Sequence, residues 1–71
     1  MNNQQLKLIR LYNGMSQREF GAHIGVAEST IAKIESRWQS VSEVTRARVL
    51  RNFDVSDPEF ITFCDRMDVR A

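Results

Sequence analysis

Apolar residues recur along the chain at helical spacing, and no segment keeps the two-residue alternation of a half-buried strand. Leu6, Ile9 and Tyr12 mark one face of a first helix covering about Gln4 to Asn13, with Asn13-Gly14 as its stop. Leu8 and Leu11 lie partly off that stripe and are expected as exposed apolar residues. Ser16-Gln17-Arg18-Glu19 reads as a capping box, the Ser16 hydroxyl accepting from the Glu19 N–H and the Glu19 side chain from that of Ser16. Met15 before the cap and Phe20 at the fourth helical position suit an apolar staple. Gly25 ends this short second helix after Ile24. A third helix follows from about Ala27 to Ser36, with Ile31 and Ile34 inward and Glu28 near the positive end of its dipole. Ser36 to Val41 reads as a loop. Ser42-Glu43 opens a fourth helix with Val44, Ala47, Leu50 and Phe53 inward. Ser56-Asp57-Pro58 starts a fifth, about 57–67, which carries Phe60, Ile61, Phe63 and Cys64. The expected fold is all-α, a single domain of five helices over residues 1–71.

Composition narrows the function by exclusion. A chain of 71 residues buries only about 60% of the surface its unfolded form exposes. Cys64 is its single cysteine, so no internal disulfide can form, and with His23 it falls short of the four ligands of a closed zinc site. No apolar run approaches the ~18 residues of a membrane span. The start, Met1 to Gln5, is polar rather than signal-like. A reduced, cytoplasmic setting without membrane contact is expected. Nothing pairs a nucleophile with a base or cradles a phosphate, so neither an enzyme nor a cofactor is expected. Ser16 is explained by its cap, His23 reads as surface, and Cys64 reads as a small core residue.

The net charge of +1 says little, but its distribution says more. Through Arg51 the chain holds eight basic residues against four acidic, and from Asn52 onward two against five. A basic body with an acidic tail suits a first part that meets phosphate. A solvated mixed surface fits the same distribution.

The segment Met15 to Glu35 is the most informative. A glycine at Gly25 supplies the positive φ of a tight turn, and Gly21 lets the second helix approach the third closely. Phe20, Ile24, Val26, Ile31 and Ile34 lock the two helices together, giving a helix-turn-helix at about 16–36. The front of the third helix then projects outward, free to enter a major groove about 12 Å wide. Gly14-Met15-Ser16-Gln17-Arg18-Glu19-Phe20-Gly21, Ile24-Gly25-Val26 and Ser29-Thr30-Ile31-Ala32-Lys33-Ile34-Glu35 resemble the phage repressor and Cro (XRE-type) helix-turn-helix family across residues 6 to 55.

That resemblance implies a five-helix repressor-like domain that binds a double-stranded operator, usually as a homodimer, and regulates transcription by occupying it. Glu28, Ser29 and Lys33 fall on base-reading positions, with Ala27 and Ala32 available to thymine methyls. Gln17 matches a phosphate contact that steadies the reading helix, and Arg37 to Ser40 match the stretch that grips the backbone. Arg10 and Glu35 match an internal ion pair. The loop lacks the family's glycine and proline, and Trp38 either packs on the fourth helix or lies on a sugar-phosphate edge. Phe60, Ile61 and Phe63 cannot all face inward on one helical stripe, and the family's dimer contact lies near its fifth helix, so these three are expected at a dimer interface. The competing reading is a module that keeps this fold but binds another regulatory protein, a repressor or RNA polymerase.

Overall fold

A computed structural model describes residues 1–67; Asp68 and Arg70, counted in the acidic tail above, lie outside the described residues. Five helices follow in order: α1 (Asn3–Tyr12), α2 (Gln17–Ile24), α3 (Glu28–Glu35), α4 (Glu43–Asn52) and α5 (Pro58–Met67). No strand occurs among the described residues, as the all-α reading requires.

Short-range chemistry starts and stops these helices. Ser16 and Glu19 form the reciprocal capping box of α2, at 3.0 and 2.8 Å. A second box opens α1: the Asn2 side chain accepts from the Gln5 N–H at 2.7 Å, and the Asn2 N–H donates back to Gln5 Oε1 at 2.8 Å. That cap starts α1 one residue earlier than the apolar stripe suggested. Gly25 ends α2 at φ 76°, the left-handed conformation that a side chain makes costly. Gly21 has the other reason: a Cβ there would overlap the carbonyl oxygen of Val26.

The core joins α1, α2 and α3 through Leu6, Ile9, Phe20, Ile24, Ile31 and Ile34, covered by Val49 of α4 and Phe60 of α5. Three expectations about facing are corrected. Leu8 is buried, at 5% exposure, and only Leu11 is exposed, because α5 lies along α1 and covers the flank that Leu8 occupies. On α4, Val44 (64% exposed), Ala47 and Leu50 (38%) face outward, while Thr45 and Val49 are buried and Phe53 stacks on Phe20 with centroids 5.5 Å apart. Thr45 sits inside at little cost because its hydroxyl accepts from Ser42 Oγ at 3.0 Å. On α5, Phe60 is buried and packs edge-on against Tyr12, which Phe63 also contacts, both with centroids 5.2 Å away. Of the three residues expected between copies, only Ile61 remains exposed, at 48%.

Candidate nucleic-acid interface

The outward surface of α3 follows from its inward one. Ile31 and Ile34 are fully buried, so helical geometry turns Glu28, Ser29 and Lys33 outward, with Ala32 half-covered between them; Ala27 lies in line with Ile31 and is exposed because it stands at the N-cap, before α3 begins. Four of the residues expected to read bases, Glu28, Ser29, Ala32 and Lys33, thus share one face, and Ala27 stands apart at the start of the helix. Ala27, the N-cap, offers no side-chain acceptor, so the opening N–H groups of α3 carry no such cap.

The far end of α3 closes in a Schellman turn. The Arg37 N–H donates to Ile34 O at 3.0 Å and the Trp38 N–H to Lys33 O at 2.8 Å. Glycine usually takes the left-handed position of this turn, but here Arg37 occupies it at φ 68°. The loop without glycine therefore still closes in a left-handed turn and places a cation at its tip, at a cost in backbone strain. Past it, Trp38 stands 84% exposed, so its indole does not pack on α4. Arg37 and Ser40 are also exposed.

An ion pair ties this helix to the rest of the domain. Arg10 Nε donates to Glu35 Oε2 at 2.6 Å and Arg10 Nη2 to Glu35 Oε1 at 2.9 Å, a two-point contact on a carboxylate side chain only 5% exposed. Hydrogen bonding to Glu35 raises the Arg10 pKa above its ordinary value against the opposing effect of burial. Arg10 Nη1 also donates to Met15 O at 2.9 Å, and Gln17 Nε2 to Glu35 Oε1 at 3.1 Å. The Glu35 carboxylate thus gathers α1 and the first residue of α2, while Arg10 itself holds the turn before α2. Gln17, expected on phosphate, spends its amide on the end of α3 in the free protein.

Two residues enter this region unannounced by sequence. Arg48 of α4 donates to Ile24 O at 3.2 Å and Gly25 O at 3.4 Å, supplying the last carbonyls of α2 with a cation across the turn. Asn3 Nδ2 donates to Ile34 O and to Gln39 O, both at 2.7 Å. Neither carries a local signal, since their partners lie 23 to 36 residues away. The cap at Asn2 did have one, because Asn2 and Gln5 stand at the same spacing as Ser16 and Glu19. No group of three or more His, Cys, Asp or Glu side chains able to hold a metal ion occurs among the described residues.

Comparison with known proteins agrees with this geometry. The family profile described as helix-turn-helix matches residues 6–60. Among curated proteins, the HipB antitoxins of two Escherichia coli strains are 32% and 30% identical over 60 residues, covering 84% of this chain. Those 60 residues span 60% and 64% of the two relatives, so the chain corresponds to somewhat over half of their length. No solved structure matches the chain. With more than half of its residues matched by one family and the two helices locked at Gly21 and Gly25, the chain belongs to the XRE-type helix-turn-helix family.

Proposed function

We propose that the chain is a sequence-specific, cytoplasmic transcriptional regulator, a repressor that acts by placing α3 in the major groove of an operator. The observation that carries this reading is the shared outward face of Glu28, Ser29, Ala32 and Lys33, with Ala27 exposed at the start of the helix, followed by a strained Arg37 and an exposed Trp38. Lys33 donates to guanine O6 or N7, Glu28 accepts from cytosine N4, Ser29 bonds either edge, and the two alanines meet thymine methyls. Gln17, Arg37, Trp38 and Ser40 hold the sugar-phosphate backbone, which positions the helix without reading sequence.

One helix reads too few base pairs to select a site in a genome, so the regulator works as a two-fold dimer. Ile61 and Leu50, both exposed along the groove between α1, α4 and α5, supply its contact, with Phe60 and Phe63 behind them as support. A footprint tests both parts: the dimer protects two inverted half-sites about 34 Å apart, and Ile61→Asp reduces this to weak single-site protection. Protection of a single half-site that Ile61→Asp leaves unchanged sinks the dimer.

A second reading has its own support. Both relatives are named antitoxins, and the same Leu50–Ile61 surface is apolar enough to receive another protein. On that reading the partner is a toxin, and DNA binding accompanies or gives way to protein binding. A gel shift in low salt separates the readings: specific binding that weakens steeply with salt supports the regulator, and no binding at all supports the protein module alone.

A further inference from the structure

We propose that Asn3 is a positioning residue for the backbone-gripping loop, holding Arg37 and Trp38 where they meet DNA; this rests on the DNA-binding reading above. The loop between α3 and α4 needs such a hold. Its turn places a non-glycine residue at φ 68°, a conformation that persists only where surrounding structure enforces it. Trp38 makes the problem worse, because at 84% exposure it gains little from packing.

Asn3 meets the need from outside the loop. Its amide nitrogen donates at 2.7 Å to Ile34 O, in the last turn of α3, and at 2.7 Å to Gln39 O, beyond Trp38. The two acceptors bracket Arg37 and Trp38, so one side chain closes the loop at both ends. Ile34 O is also the acceptor of the Arg37 N–H, which joins the Asn3 bond to the turn itself. Asn3 is in turn well held: the Asn2–Gln5 box fixes the backbone around it, and Leu6 and Ile9 anchor α1 in the core. An asparagine amide has two N–H donors, enough for both carbonyls. Serine serves only one, and an ionised aspartate serves neither and sets a carboxylate against two carbonyl oxygens.

The test reads the loop first without DNA and then with it. Asn3→Ala keeps the Asn2 cap and a good helix former, so the fold is expected to survive. In the free protein, the Trp38 amide, bonded to Lys33 O, should exchange with solvent about tenfold faster in Asn3→Ala and Asn3→Asp, and by an intermediate factor in Asn3→Ser. Because the strain lies at Arg37, the same Asn3→Ala change in an Arg37→Gly background should speed exchange only about two- to threefold. On a duplex selected from random sequence by the wild-type protein, Asn3→Ala should weaken binding about tenfold. It should do the same on a scrambled duplex, with a salt slope smaller by about one. Unchanged Trp38 exchange overturns the proposal, as does faster exchange with unaltered DNA affinity and salt slope. An equal effect of Asn3→Ala with and without Arg37→Gly means that Asn3 merely stabilises the fold, and also overturns it. Failure of the wild-type protein to bind any duplex at low salt overturns the DNA reading along with this role. Wild-type binding with an unaffected Asn3→Ala overturns this role alone.

Discussion

Arg48 and Gly25 share one space: a Cβ built on Gly25 would lie 2.5 Å from the guanidinium nitrogen Nη1 of Arg48. That nitrogen sits there to serve the carbonyls of Ile24 and Gly25, so the turn needs glycine for φ 76°, and a side chain there would also push aside the tip of a flexible, exposed arginine. Gly25→Ala should cost about 1–2 kcal/mol from backbone strain alone, with a further loss as Arg48 is displaced. Arg48→Ala should cost about 1 kcal/mol through the lost helix end. In urea denaturation the double change should cost less than the sum, since the collision disappears with Arg48. Strictly additive losses would show that Arg48 does not occupy that space in solution.

The Arg10–Glu35 pair gives a second cycle. Arg10→Met leaves a nearly buried Glu35 carboxylate with only Gln17 and should cost ~3–5 kcal/mol. Adding Glu35→Leu should recover much of that loss, because the stranded charge is removed with it. Thermal or urea unfolding would measure both changes, and the absence of any recovery would rule out a mutual interaction.

On DNA, Lys33 and Arg37 should behave differently. Lys33→Ala should cost about 1–3 kcal/mol on the preferred site and relax preference at one base pair. Arg37→Gly should weaken binding alike on every sequence and reduce the salt slope by roughly one. Yet Arg37→Gly should also stabilise the free protein by up to ~1 kcal/mol, since glycine adopts φ 68° without strain. Opposite signs for stability and binding are the expected signature; a variant that loses both contradicts a functional strain at Arg37.

Glu28→Gln tests the base assignment directly. Loss of preference for cytosine at one position supports Glu28 as an acceptor of N4. A gain in affinity on all duplexes without changed preference means that Glu28 only repels phosphate.

Acid should loosen α2 through its cap. The Glu19 pKa is lowered from its ordinary 4.5, first by the Ser16 N–H that its carboxylate accepts and then by the Ser16 hydroxyl. A lowered folded value means that the contribution is complete above 4.5 and is lost as pH falls through the lowered value. Asp54, lowered from its ordinary 3.8 by the Ser56 hydroxyl and then its N–H, adds loss of the same sign as pH falls through its own lowered value. Melting temperatures of Glu19→Gln should therefore fall less steeply than those of the wild type below pH 4.5. Parallel curves would remove Glu19 from the acid response.

Features settled within about four residues could be read from the chain alone. Ser16 with Glu19, the left-handed Gly25 and Pro58 mark helix ends because their partners are near in the chain, and the Ile31–Ile34 stripe of α3 is unambiguous because nothing apolar competes with it. Together with Gly21, these made the two central helices and the outward face of α3 legible. Packing between distant segments set the rest. On α4, Val44-Ala47-Leu50 and Thr45-Val49 are both plausible helical stripes leading to the inward Phe53, and hydrophobicity alone selects the first. The fold buries the second, because Ser42 satisfies the Thr45 hydroxyl and Phe20 stands opposite Phe53. Leu8 and Phe60 turn inward, and Leu11 and Ile61 outward, for a similar reason: rotation of a helix about its axis is set by the neighbour it meets. Asn3, Arg48 and the exposed Trp38 lie furthest from the reach of sequence. Their positions depend on hydrogen bonds to distant carbonyls and on a left-handed arginine, where glycine would have announced the turn.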